Sequence, residues 1–207
     1  MPLQVEELIY AYLNGFFPMA DATGEISWYA PDPRAIIPLE NYKPSKSLRP
    51  VLNKKLFDIR INKDFRGVME YCAKPRFPED ETWISNEIID VYCQLHSNGF
   101  AHSVEAYEGD KLVGGLYGVS IGGVFFGESM FHLVSNASKV AFHYLIEILR
   151  HRGFILLDTQ FINDNVLRYG AIEIPKVAYE ASLKEAIAMK LTFVPSLGAL
   201  KLAEVMA

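Results

Sequence analysis

The order of apolar runs along this chain predicts an α/β (α+β) fold with a largely antiparallel sheet. Three strand-like runs, His102–Tyr107, Lys111–Val119 and Val124–Phe131, are joined by Glu108-Gly109-Asp110 and Ile121-Gly122-Gly123, the turn chemistry of tight hairpins. A helix and another strand follow, so the antiparallel run continues into a strand–helix–strand unit. From residue 57 the order is strand, two helices, three strands, helix, strand, short helix, strand.

Taken in order, residues 4–14 place Val5, Leu8, Ile9, Tyr12 and Leu13 on one helical face and stop at Gly15. Residues 16–33 read as a loop, punctuated by Pro18, Pro31 and Pro33 and loaded with Phe16, Phe17, Trp28 and Tyr29. Loop aromatics either seal a core or stack on nucleobases, a contact worth roughly 1–3 kcal/mol per base. Arg34–Leu39 is a short strand, and Phe57, Ile59 and Ile61 alternate with polar residues in a second. Asp64 caps a helix with Phe65, Val68, Met69 and Cys72 on one face, residues 74–81 form a turn, and Ser85 caps a helix that ends at Gly99. After the hairpins, an Asn/Ser cap near Ser135–Ser138 opens a helix with Ala141, Leu145, Ile148 and Leu149 inward, closed by Arg150, Arg152 and Gly153. Phe154–Gln160 is a strand, Val166–Tyr169 a helical turn, Ala171–Ile174 a last strand and Val177–Met189 a C-terminal helix. Residues 1–60 are expected to form a small N-terminal α/β domain, and 61–207 the main one.

The 207 residues are half hydrophobic and 22% charged, which excludes a disordered chain and allows a sizeable core. No apolar run approaches the roughly 20 residues of a membrane helix, and the N-terminus has acids where a signal peptide has bases. A cytoplasmic protein with no membrane partner is expected. Cys72 and Cys93 sit on apolar helical faces and read as reduced core residues; the histidines form no ligand pair, so neither a metal nor another cofactor is implied. A net charge of −5 argues against indiscriminate nucleic-acid binding. Lys43, Lys46, Arg49, Lys54 and Lys55, however, lie in one acid-free segment. It is either a solvated loop or a phosphate-contacting patch.

Two carboxylates sit in very apolar runs, Glu128 in FFGESMF and Asp158 in ILLDTQ. A carboxylate there is costly to ionise unless partners hold it, so each is either a site residue or a cap on buried backbone groups. Asp158 and Gln160, two apart on a strand, are expected to point the same way.

Several blocks resemble the signature of the leucyl/phenylalanyl-tRNA–protein transferase family: Gly114-Gly115-Leu116-Tyr117-Gly118-Val119, Phe126-Gly127-Glu128-Ser129-Met130-Phe131, Asn136-Ala137-Ser138-Lys139 and Leu157-Asp158-Thr159-Gln160. Gly15-Phe16-Phe17-Pro18-Met19, Trp28-Tyr29-Ala30-Pro31-Asp32-Pro33-Arg34, Thr82-Trp83-Ile84-Ser85 and residues 170–176 extend it over nearly the whole chain. The resemblance implies an acyl-CoA N-acyltransferase-like (GNAT-like) main domain. It also implies transfer of Leu or Phe, and less readily Met, from aminoacyl-tRNA to the N-terminal Arg or Lys of a protein, marking it for N-degron degradation. Onto this chain it carries Asp158 as acceptor for the attacking amine, Gln160 as orienter and Asn163 as oxyanion donor. It further implies Leu116, Phe125, Met130, Phe142 and Leu157 as the apolar pocket and Glu128 as a contact to the aminoacyl amine or sugar. Trp28 and Tyr29 would hold the tRNA 3′ adenosine, Trp83 would face the pocket, and the basic segment would meet tRNA. Phe125 and Met130 have opposite parity, so one pocket can hold both only if the strand bulges near Gly127. Rival readings are an acyl-CoA-dependent N-acetyltransferase, weakened by the absence of glycine from residues 131–139, and a non-catalytic RNA-binding module.

Overall fold

Apolar residues at helical spacing build the first element. Val5, Leu8, Ala11 and Tyr12 are buried on one side of α1 (Val5–Leu13), whose start is closed by Glu7 accepting from the Gln4 N–H at 3.0 Å. The computed structural model describes residues 3–75 and 82–207, so the turn expected over 74–81 lies largely outside the described residues. Residues 16–33 hold not a loop but a hairpin, β1 (Phe17–Ala20) and β2 (Ile26–Tyr29). Asp21 closes it, its Oδ1 accepting from the N–H groups of Thr23 (2.8 Å) and Glu25 (3.0 Å). Pro18 is tolerated because a two-stranded ribbon leaves each strand an unpaired edge.

One sheet is then built from β3 (Arg34–Ile36), β4 (Asp58–Ile61), β5 (Ala101–Glu108), β6 (Lys111–Ile121), β7 (Val124–His132), β8 (Leu156–Gln160), β9 (Ile172–Ile174) and β10 (Leu200–Lys201), and its central strands β5 and β6 are buried on both faces. Their order is β10-β4-β5-β6-β7-β8-β3-β9. Neighbours are antiparallel except β7 and β8, which run parallel because α5 (Ala137–His151) returns the chain between them. One face packs against α1, α3 (Phe65–Cys72), α4 (Asn86–Ser97) and α7 (Lys176–Ile187). The other packs against α5, the segment with α2 (Arg49–Asn53), and the C-terminal stretch with β10 and α8 (Leu202–Val205), which the sequence pattern did not announce. The boundary expected at residue 60 falls inside this sheet: α1 and the β1–β2 hairpin precede it, and every strand from β3 onward belongs to it.

Two irregularities shape the centre. Tyr117 faces Ser129 but Gly118 faces Gly127, which leaves Glu128 as the extra residue of a β-bulge. Gly118 permits it, since a Cβ there would lie 2.2 Å from the Phe126 carbonyl oxygen and 2.4 Å from the Phe125 ring. β7 and β8 then pair only from Val124–Leu156 to Phe126–Asp158, after which they part. Among the described residues no helix is long and apolar enough to cross a membrane.

Candidate active site

Where β7 and β8 part, a cavity of about 740 Å³ opens through the sheet. Leu116, Met130, Phe142, Leu145 and Leu157 give it an apolar wall from the α5 side. Met19, Trp83 and Tyr117 face it from the α1 side, and the Ala20 N–H bonds the Trp83 carbonyl at 3.1 Å, tying the hairpin to that tryptophan. Its polar lining residues include Glu128, Ser129, Thr159, Gln160, Asn163, Asp164 and Asn165.

The bulge turns Glu128 into this opening. Its Oε1 accepts from Tyr12 Oη at 2.6 Å and its Oε2 from Gln160 Nε2 at 3.0 Å, and the Tyr12 hydroxyl is in turn hydrogen-bonded to that of Tyr92. Burial pushes the Glu128 carboxyl up to about 7, against the bonds from Tyr12 and Gln160 that pull it down; the Asp158 charge adds to the rise. Tyr12 and Tyr92 are held well above the ordinary tyrosine value, first by burial and then by the Glu128 charge, so both stay neutral hydroxyls.

Asp158 does not open on the cavity. It is fully buried, and Arg34, itself 1% exposed, grips it through Nε (2.9 Å to Oδ1) and Nη2 (2.7 Å to Oδ2). Tyr179 Oη donates to Oδ2 at 2.6 Å and the Gln160 backbone N–H to Oδ1 at 2.8 Å. Arg34 also donates to the Gly15 carbonyl at 2.9 Å and lies 4.9 and 4.7 Å from the centroids of the Phe17 and Tyr179 rings. Burial works against the guanidinium charge, but Asp158 holds Arg34 above its usual range. Burial and then Asp158 raise Tyr179. The expected direct contact of Asp158 with an amine is corrected on this geometry, because Asp158 does not line the cavity and two protein donors already occupy each of its oxygens, whereas Glu128 lines it with one donor on each.

Asp158 instead shapes its neighbour. Gln160 has φ of 67° and the Phe161 N–H reaches back to the Thr159 carbonyl at 2.8 Å, a three-residue turn costly for a non-glycine residue. The Asp158 bond to the Gln160 N–H holds that turn, and the register shift between β3 and β8 falls at the same place. Both side chains leave β8 toward the α1 and α7 layer, but only Gln160 reaches the cavity.

The other expected site residues divide. Leu116, Met130, Phe142, Leu157 and Trp83 line the cavity. Phe125 does not: it is buried behind the wall, 5.1 Å from the Phe193 ring centroid. Asn163 lines the cavity while its Oδ1 caps α6 (Asp164–Arg168), accepting from the N–H groups of Asn165 (3.0 Å) and Val166 (3.2 Å), which leaves its amide NH₂ as the group able to donate. Trp28 and Tyr29 lie elsewhere. Tyr29 stacks on Phe17 at 6.1 Å, and Trp28 faces a separate groove of about 910 Å³ on the other side of the hairpin. Sequence reasoning did not single out Met19, Tyr92, Tyr179 or Arg34; the arginine ending Pro-Asp-Pro-Arg beside an apolar strand was the available signal for the last.

Lys43, Lys46, Arg49, Lys54 and Lys55 are all exposed, and none is ion-paired among the described residues. Arg150 pins their segment to α5 by donating to the Leu39 (2.5 Å) and Tyr42 (2.8 Å) carbonyls, and the Tyr42 ring meets Phe142 at 5.7 Å. Tyr42, which leads into the basic segment, therefore packs on a residue of the cavity wall.

The leucyl/phenylalanyl-tRNA protein transferase family model matches residues 36–184, and the model of that family's N-terminal domain matches residues 1–32. The leucyl/phenylalanyl-tRNA–protein transferase of Chlorobaculum tepidum is 49% identical over 193 residues, 93% of this chain and all of the relative. Those of Herpetosiphon aurantiacus and Gloeobacter violaceus are each 49% identical over 192 residues, covering 92% of this chain and 98% and 97% of theirs. On these matches the chain belongs to the leucyl/phenylalanyl-tRNA–protein transferase family of aminoacyltransferases.

Proposed function

We propose that this enzyme moves Leu or Phe, and less readily Met, from aminoacyl-tRNA to the N-terminal Arg or Lys of an acceptor protein, in the cytoplasm, as an N-degron mark. One observation carries the chemistry: Glu128 and Gln160 are hydrogen-bonded at the mouth of an apolar cavity. The Leu or Phe side chain fits the wall of Leu116, Met130, Phe142 and Leu157, and its ester stands at the polar mouth. Met19 and Trp83 flank that mouth where the terminal nucleoside would stack, with the basic segment beyond Phe142 for its phosphates. The parallel β7–β8 pair that splays around the site supports the GNAT-like arrangement.

The reaction is aminolysis of an activated ester. The acceptor α-amine attacks the ester carbonyl, the carbon–oxygen bond to the ribose breaks, and the amine proton ends on the ribose oxygen. An α-ammonium group has a pKa of about 7.7–8.0, close to that of Glu128, so proton transfer between them is nearly balanced. Glu128 takes the proton and returns it to the ribose oxygen. Gln160 fixes the Glu128 carboxylate through Nε2 and offers Oε1 to the amine. Asn163 supplies an amide donor for the oxyanion, and Asp158 with Arg34 and Tyr179 positions Gln160. Following radiolabelled Leu from Leu-tRNA, and in parallel labelled acetyl-CoA, to a peptide beginning with Arg tests the reading. Leucine should reach the peptide N-terminus; acetyl transfer, or no transfer to any peptide, overturns it.

A further inference from the structure

Outside the reaction cavity a groove of about 910 Å³ lies between α1, the start of α4 and the outer face of the β1–β2 hairpin. Glu6, Glu7, Glu25 and Glu87 line it, with no Lys, Arg or His among its lining residues. None of these carboxylates joins an ion pair among the described residues, although other surface acids do: Asp58, Asp90, Glu147 and Glu180 each meet a cation. Glu7 and Glu87 spend one oxygen each on the N–H groups of Gln4 and Leu3, which fixes them at the rim. Between the acids stand three large exposed aromatics, Tyr10 (72% exposed), Phe16 (39%) and Trp28 (40%).

This chemistry excludes one occupant and fits another. Four carboxylates around Trp28 repel phosphate, so a nucleic-acid strand is disfavoured here and favoured at the basic segment, which lies on the α5 side of the sheet. Carboxylates spaced among aromatic faces suit an extended peptide whose Lys and Arg side chains lay their aliphatic stems on the rings and their charges at the rim. The hairpin is the wall shared with the reaction cavity: Met19 faces the cavity, and Trp28, paired with its neighbour Pro18, faces the groove. A chain whose N-terminus reacts at Glu128 needs only to cross this two-stranded ribbon to enter the groove.

We infer that this groove binds a cationic segment of the acceptor protein a few residues downstream of its reacting N-terminus. The inference rests on the proposed transfer to acceptor N-termini for its biological meaning, but its test does not depend on catalysis. Two fluorescent peptides with a free N-terminal arginine, one continuing with alternating lysine and leucine and the other with glutamate and leucine, are titrated with the full chain by anisotropy. The lysine peptide should bind at least about fivefold tighter, and added salt should erase the difference. Glu6→Gln/Glu25→Gln, which removes two charges without touching the Glu7 and Glu87 bonds, should cancel the preference. Trp28→Ala should weaken the lysine peptide about threefold or more with the melting temperature unchanged. Equal affinities, a preference that survives the double substitution, or displacement of the lysine peptide by uncharged tRNA overturns the inference. Peptide binding without leucine transfer would sink the proposed reaction and leave the groove assignment standing.

Discussion

Gln160 Nε2 and Glu128 Oε2 meet at 3.0 Å across the gap between β7 and β8. Neither strand is regular where it supplies its partner: Glu128 is the extra residue of a bulge, and Gln160 sits in a left-handed turn. Regular strands would have closed the gap and paired these backbones instead of bringing the side chains together.

The first prediction concerns Glu128, whose carboxylate form accepts the proton. With its pKa near 7, the transfer rate at saturating substrates should rise with pH through about 7 and then level off. Glu128→Gln should lower the rate by roughly 10²–10⁴-fold and flatten that rise, with aminoacyl-tRNA affinity within about twofold. A stability effect of opposite sense accompanies it. The folded-state value lies above the ordinary 4.5, so the fold favours the protonated acid; that stabilisation is complete below about 4.5 and lost as pH rises through about 7. Glu128→Gln should therefore gain stability relative to wild type as pH rises through that window. A variant that keeps the rate rise near 7 assigns it to another group.

Asp158→Asn separates positioning from proton transfer. It leaves Arg34 buried without a counter-charge, and both side chains are so enclosed that solvent screening gives no relief. Removing one member of such a pair costs about 3–5 kcal/mol, roughly 10 °C in melting temperature for a chain of this size. The rate should also fall, because the amide is left with one acceptor oxygen for Arg34, Tyr179 and the Gln160 N–H and holds that turn less firmly. The activity that remains should keep its midpoint near pH 7, because Glu128 is intact. Loss of that midpoint in a folded variant would return the proton acceptor to Asp158.

The apolar wall sets the third prediction. Leu116 faces the cavity from β6 opposite Met130, its cross-strand partner. Leu116→Phe adds bulk where the longer donor side chain would reach, and steric discrimination of this size is worth about 1–3 kcal/mol. The ratio of kcat/KM for Leu-tRNA over Phe-tRNA should rise by about tenfold or more. An unchanged ratio would remove Leu116 from the specificity wall.

How much of this was legible in the sequence depends on how local the signal was. α4 begins after Ser85 and α3 after Asp64, both of which accept the expected capping bonds, because a cap is decided within three residues. The bulge was foreseeable from the opposite parity of Phe125 and Met130, but Phe125 packs against Phe193, a partner 68 positions away in sequence that no local pattern announces. Long-range pairing also hid the fate of the acids. Asp158 looked reactive because its run is apolar, and it is saturated by Arg34 from a distant strand and Tyr179 from α7. Asp158 and Glu105 are both buried acids that cap a backbone group: Asp158 accepts from the Gln160 N–H, and Glu105 from the Asp64 N–H at 2.9 Å and from Ser103 and Tyr107. Which way Trp28 faces was not legible, because a loop has no faces, whereas the hairpin that forms has two.

The last prediction concerns the basic segment. Its five cations form no ion pair among the described residues, and their segment is held beside α5 by Arg150, so their contribution to tRNA affinity should be electrostatic and independent of the esterified amino acid. Lys43→Ala/Lys46→Ala should weaken uncharged tRNA and Leu-tRNA by the same factor. It should also make the dependence of log Kd on log salt shallower by about 0.7–0.9 for each phosphate that is no longer neutralised. Arg150→Met is the complementary variant: it keeps all five charges but frees the Leu39 and Tyr42 carbonyls, so affinity should fall with most of the salt slope retained, since loosening the segment costs ordering and not charge. Measuring both slopes by filter binding decides the matter. If the double variant leaves the salt slope at its wild-type value, the phosphates are read elsewhere and the segment is a solvated loop.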